Sequence, residues 1–124
     1  MLNLKKTLTK ILQKITMESV VFTYSSNNYV SSTDFGRING KKFGNIAVIN
    51  FNLYLTNSIP ASGSAKIGTM NVSVPNGHYV ALPAQSNANH LSIGITGNEI
   101  SVSNGYSTSL SAGWYRVTVA IAIN

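Results

Sequence analysis

Residues 43 to 55 read Phe-Gly-Asn-Ile-Ala-Val-Ile-Asn-Phe-Asn-Leu-Tyr-Leu, and their period-two alternation commits any chain that contains them to a β-sheet. Ala47, Ile49, Phe51, Leu53 and Leu55 fall on one side of an extended strand, and Ile46, Val48, Asn50, Asn52 and Tyr54 on the other. Burying a large aliphatic or aromatic side chain contributes roughly 1.5–3 kcal/mol gross, so a slip of one residue would forfeit several kcal/mol. The register of this strand is therefore fixed.

The final run, Trp114 to Ile123, matches it. Tyr115, Val117, Val119, Ile121 and Ile123 make an apolar side, opposed by Trp114, Arg116, Thr118, Ala120 and Ala122. Antiparallel sheets with one wet side normally carry charges there, yet Phe43 to Leu55 has none and Trp114 to Ile123 has one. The second faces are expected to be covered as well, by another sheet or by a neighbouring subunit. Trp114 to Ile123 is expected to be a central strand.

Four turn signals point to an antiparallel meander: Asn39-Gly40, placed between Phe35–Ile38 and Lys41–Phe43 as a hairpin turn, then Asn76-Gly77, Gly97-Asn98 and Asn104-Gly105. Pro60, Pro75 and Pro83 fall between strand-like runs. Val20 to Tyr24 reads as a strand, Ser25 to Asn28 as a polar loop, Ile59 to Met70 as a loop leading into a short strand, and Ala84 to His90 as a second polar loop. Short strands about ten residues apart indicate an all-β, antiparallel β-sandwich or jelly-roll-like head over residues 18–124.

Residues 1–17 are the one helix candidate. Leu4, Leu8, Ile11 and Ile15 form an a/d seam, with Lys5, Lys6, Lys10 and Lys14 off it. Helices shorter than about 12–15 residues are marginal in water, so this one needs a partner. Three arrangements are open: a parallel bundle with copies of itself, docking on its own head, or lying on a membrane surface. The bundle is favoured, because leucine and isoleucine fill a narrow seam and no Trp or Phe is present to anchor in lipid.

Only 10% of the 124 residues are charged, against about 25% in a typical domain, and the polar remainder is Asn, Ser, Thr and Gly. Such a hydrogen-bonding, neutral surface suits an assembly or an extracellular setting. Of the nine basic residues behind the net charge of +6, four lie in residues 1–16 with no acid; five remain against three acids elsewhere, +2. No basic stripe with interleaved aromatics crosses the head, which argues against nucleic-acid binding. The absence of cysteine excludes disulfides and cysteine zinc sites. No apolar run is long enough to span a membrane, and the N-terminus lacks the apolar core of a signal peptide, so neither membrane insertion nor Sec-type secretion is expected.

The opening Met1 to Thr16, the strand entry Lys42-Phe-Gly-Asn-Ile-Ala-Val-Ile-Asn-Phe51 and the ending Ser111-Ala-Gly-Trp-Tyr-Arg-Val-Thr-Val119 together resemble the trimeric C-terminal head domains of tail-tip, baseplate and fibre proteins of tailed phages and prophages of Gram-positive bacteria. Ile59-Pro-Ala to Ile67-Gly-Thr is similar to the loop after that family's long central strand. The resemblance implies a homotrimer in a virion tail tip or baseplate, made in the bacterial cytoplasm and associated with other phage tail or baseplate proteins. It also implies that exposed loops bind host cell-wall carbohydrate, but transfers no individual binding residue.

From the residues themselves, Tyr79 beside Asn76-Gly77 and Tyr106 after Asn104-Gly105 offer flat apolar faces for sugar rings, with Asn87, Asn89 and His90 as hydrogen-bonding groups. These five are the candidate ligand-binding residues. Trp114 is assigned to packing. Glu18, Asp34 and Glu99 are the only acids, and a glycosidase pair would need two of them to meet. His78 and His90 lack metal-ligand spacing to any other donor. No catalytic residue, metal or cofactor is expected. A structural trimerisation or capping module without its own ligand is the alternative function, and a saccharide-cleaving enzyme a distant third. Asn71-Val72-Ser73 fits the glycosylation triplet by chance.

Overall fold

A computed structural model of the chain describes residues 17–86 and 89–124, with the backbone alone at 85, 86 and 89. The seam of Leu4, Leu8, Ile11 and Ile15 lies outside the described residues, and so does Asn87. The protein is all-β. Among the described residues the strands are β1 (Glu18–Ser19), β2 (Phe22–Tyr24), β3 (Asn39–Phe43), β4 (Ile46–Leu55), β5 (Ser64–Met70), β6 (Tyr79–Ser86), β7 (Asn89–Thr96), β8 (Glu99–Ser103) and β9 (Gly113–Ala122), with a short helix, α1 (Ser32–Phe35). Every pairing is antiparallel, in the order β1-β3-β4-β9-β6-β7-β8-β5-β2.

The longest ladder is β4 with β9, unbroken from Ile46↔Ala122 to Leu55↔Gly113. Ala47, Ile49, Phe51, Leu53 and Leu55 are fully buried, as alternation requires, and Tyr115 and Ile121 join them from β9, with Val117 and Val119 partly buried against the same core. Ile93, Ile95, Ile100 and Val102 are buried in the same apolar cluster. β9 is central, between β4 and β6.

The two ends of the strand order are made by one stretch of chain. Ser19 pairs with Lys41 of β3, and three residues later Phe22 pairs with Met70 of β5. Between them the Val20 amide donates to the Gly40 carbonyl, while Val21 exchanges bonds with Asn71. Both sheet edges, which would otherwise present unpaired backbone, are thus occupied by residues 18–24.

The outward face of β4 and β9 is open. Arg116, Thr118, Ala120 and Ala122 are exposed, and Ile46 is 44% exposed. Of the two covers expected from sequence, another sheet is not found among the described residues. Met17, Phe43 and Val48 line a hollow of about 270 Å³ on this face, together with Asn39, Asn50 and Thr118.

Several turn assignments are corrected. Asn39-Gly40 is no turn but the start of β3; Gly40 is needed where the strand runs close to Ile49, since a Cβ there would lie 3.0 Å from the Val48 carbonyl oxygen. The β3–β4 hairpin instead turns at Gly44-Asn45, inside the run taken as an unbroken strand, because Gly44 accepts a φ of +59° that other residues resist. Phe35 is not in a strand either. Ser31 caps α1, its Oγ accepting from the Asp34 amide at 3.1 Å, and Phe35 packs on Phe22, on Tyr24 and over Gly68. A helical turn thus forms outside the one helix candidate expected from sequence.

Gly97-Asn98 does close a hairpin, β7–β8. Asn76-Gly77 and Asn104-Gly105 do not, because the strands flanking each are not neighbours. Of the expected loop Ala84–His90, the described residues Ala84, Gln85, Ser86, Asn89 and His90 are instead paired within β6 and β7, and Pro83 sits in β6 opposite Ser92. Proline has no amide to donate, and among the described residues β6 meets β9 in register at Gln85↔Arg116.

These faces are tested by adjacent substitutions. Val119→Asp places an unpaired carboxylate against the core, at about 2 kcal/mol or more, and should abolish soluble expression. Ala120→Asp, one residue on and outward, leaves the core of the chain untouched and should express with the parent's far-ultraviolet circular dichroism, whatever it does to contacts between copies.

Candidate functional site

The site begins with a buried amide. Asn104 is 2% exposed, where the chain leaves β8, and its Nδ2 donates to the carbonyls of Ile59 (2.9 Å), Pro60 (3.1 Å) and Thr108 (2.9 Å). Its Oδ1 accepts from the Tyr106 amide at 2.8 Å, and its own amide donates to Gly63. Two loops, 59–63 and 104–110, are thereby fixed to one side chain, and Tyr106 is held over the outward face of β7.

There its hydroxyl accepts from the His90 amide at 3.1 Å and lies 3.2 Å from His90 Nδ1. With one lone pair of the hydroxyl so engaged, its hydrogen is directed to Nδ1 when that nitrogen is unprotonated, the tautomer with the ring proton on Nε2. Tyr106 remains 37% exposed. Between it and the β6–β7 hairpin is a hollow of about 380 Å³, bounded by Ala81, Leu82, Pro83 and Leu91 and by the polar His90, Ser92, Gly105 and Tyr106. An apolar floor with a few convergent polar groups, within the roughly 300–1,000 Å³ of small-ligand sites, is the ordinary make-up of a binding pocket.

The five sequence candidates separate accordingly. His90 and Tyr106 are brought together across 16 positions of sequence. Tyr79 shares the outward face of β6, two residues along from Ala81, but does not line the hollow. It is 61% exposed and lies across Gly94, where a Cβ would come within 2.5 Å of the tyrosine hydroxyl. Asn87 lies outside the described residues, and of Asn89 the backbone alone is described, paired with Ser86.

At the same level of the sheet is a second cluster. Asn52 of β4 faces Arg116 of β9, Arg116 faces Gln85 of β6, and Gln85 faces His90 of β7. The Arg116 guanidinium is 4.7 Å from the centre of the Trp114 ring and donates through Nε to Asn52 Oδ1 at 2.8 Å. Trp114 also stacks edge-on with Tyr54 at 5.1 Å and lies 5.3 Å from the Arg37 guanidinium. Sequence alone did not place Arg116 or Asn104 in a site. The one charge on an otherwise uncharged pair of long strands was the available signal for Arg116, whereas Asn-Gly at 104–105 looks like any turn.

The acids are apart and each is engaged: Glu18 with Lys42 at 3.6 Å, Asp34 with Arg37 at 3.4 Å, Glu99 with Lys66 at 3.2 Å. Among the described residues no three His, Cys, Asp or Glu side chains gather as metal ligands, and no helix is long and apolar enough to cross a membrane. No family model, no curated protein and no solved structure matches this chain.

Asn104 is the test of this construction. Asn104→Ala strands buried carbonyls and should lower stability by about 2 kcal/mol or more in urea unfolding. Asn104→Asp turns the donor that meets three carbonyl oxygens into an acceptor. Its carboxyl would have a folded pKa raised above the unfolded value of about 3.9, so the variant should be least impaired below pH 4 and lose stability as pH rises through that value. A variant with the same urea midpoint from pH 3 to pH 7 would contradict the buried-amide account.

Proposed function

We propose that this chain is the head of a phage or prophage tail-tip protein, a homotrimer with a sandwich or jelly-roll-like fold that binds host cell-surface saccharide in the hollow beneath Tyr106. The observation that carries the proposal is the Tyr106–His90 pair set over the apolar floor of β6 and β7. A sugar ring has a flat apolar side and a rim of hydroxyls. Tyr106 offers an aromatic surface to the first, and Ser92 and the backbone of Gly105 offer donors and acceptors to the second, while His90 holds the Tyr106 hydroxyl in place. The neutral composition fits a ligand that is bound through hydrogen bonds.

The trimer is supported by the outward face of β3, β4 and β9, which has an apolar end at Phe43, Ile46, Ala120 and Ala122. Met17, where the seam-bearing segment joins the described residues, lies on this same face. Copies meeting there would bring their N-termini together, as a parallel bundle of Leu4, Leu8, Ile11 and Ile15 requires. The same open face also favours the alternative, a trimerisation or capping module with no ligand.

Binding separates the two. Tyr106→Ala should keep the parent's melting temperature and oligomeric mass while reducing retention on an array of purified bacterial cell-wall glycans at least about tenfold, the loss expected for an aromatic contact and its hydrogen bonds. Retention equal to the parent's would move the site elsewhere, and an intact protein that retains no glycan would leave the structural module. Light scattering should return three chains for the intact protein, and removing residues 1–17 should leave a trimer of lower melting temperature; a monomeric intact protein would overturn the trimer.

A further inference from the structure

Each of the three acids of the chain is held by its own cation, Lys42, Arg37 or Lys66. Arg116 has no acidic partner among the described residues. It is held by neutral groups instead: Nε is bound to Asn52 Oδ1 and the guanidinium plane is seated by Trp114. Its two terminal amino groups make no hydrogen bond to the described residues and belong to an exposed side chain. A guanidinium fixed in this way has already lost much of its rotamer freedom, and it keeps the two-pronged face that matches a carboxylate or phosphate. A second guanidinium, Arg37, lies against the same indole and adds to the local positive field, although Asp34 offsets part of it.

Position connects this cluster to the hollow. Arg116, Gln85 and His90 occupy one level on three adjacent strands, so with strands about 4.8 Å apart the Cα atoms of Arg116 and His90 are about 10 Å from each other. A ligand of disaccharide scale seated beside Tyr106 reaches Arg116 by crossing one strand.

We infer that Arg116, seated on Trp114, is an anion-recognising subsite of the saccharide site, and that the saccharide bears a carboxylate or phosphate group. This rests on the reading of the Tyr106 hollow as a saccharide site. Both anions present paired oxygens to the guanidinium fork, and the array identifies which of the two is bound.

The intact protein, Arg116→Gln, Arg116→Lys and Tyr106→Ala are compared on an array of purified bacterial cell-wall glycans, at 0.1 M and 1 M salt. The glycans retained by the parent should carry carboxylate or phosphate groups. Arg116→Gln should weaken their binding tenfold to a hundredfold, the range for charge-assisted hydrogen bonds, with an unchanged melting temperature. Arg116→Lys should fall between, since it keeps the charge without the fork. High salt should weaken the parent more than Arg116→Gln. Trp114 is the sole tryptophan, so its emission should shift on adding a retained glycan to the parent. If the parent retains neutral glycans and Arg116→Gln binds them equally while Tyr106→Ala does not, the anionic subsite is overturned and the saccharide site stands. Should the parent retain no glycan at all, both fall.

Discussion

The ladder between β4 and β9 is the constraint on which the rest of the molecule depends. Its ten-residue strands put Ala47, Ile49, Phe51, Leu53 and Leu55 wholly inside, opposite Tyr115, Val117, Val119 and Ile121 of the partner strand. Period two leaves no neutral slip: moving β4 by one residue would bring Asn50 and Asn52 into the core and put Phe51 in water, and moving β9 would bring in Arg116 in place of Tyr115. The same rule determines the outward row. Once Phe51 is inside, Asn52 is outside, Arg116 lies opposite it, and the guanidinium finds both Asn52 Oδ1 and the Trp114 ring.

Loops are then placed against this frame by polar groups buried for the purpose. Asn104 satisfies three carbonyls and one amide from its buried position, and it holds Tyr106 over β7 more firmly than an exposed turn would. The hollow under Tyr106 needs the β6–β7 hairpin as its floor, with Pro83 in it. A proline in that strand cannot donate to a further ladder, and among the described residues β6 meets β9 in register at Gln85 and Arg116. That link between β9 and the strands of the hollow lies at the level of the Arg116 cluster and His90.

The long strands were legible because their signal is hydrophobic periodicity, which tertiary structure reinforces. Turn chemistry was less so, because it is local and packing overrides it. Asn39-Gly40 has the composition of a hairpin turn, but its glycine meets a close approach to Val48 and Ile49 within β3; Gly44, inside an apparently continuous strand, takes the positive φ. Ala84–His90 looked like a loop because its residues are small, polar or next to proline, yet pairing with β7 outweighs weak intrinsic strand preference. Of the candidate site, His90 and Tyr106 were visible as residue types and their meeting was not, since the amide that joins them is an asparagine whose role depends on three carbonyls remote in sequence or hidden in its own loop. Arg116 was hidden for the opposite reason: a lone charge on a strand shows no partner until the neighbouring strands are aligned.

The central claim is that one ligand lies across β9, β6 and β7, at the level of Arg116, Gln85 and His90. Amide and indole chemical shifts, recorded by nuclear magnetic resonance while a retained cell-wall glycan fragment is added, test it most directly. The account predicts that shifts cluster at Ala81, Ser92, Gly105, Tyr106, Arg116 and the Trp114 indole, while Ile46, Ala120 and Ala122 stay fixed. Shifts confined to the Ile46–Ala122 end of the sheet, or spread with no maximum at Tyr106 and Trp114, would contradict it.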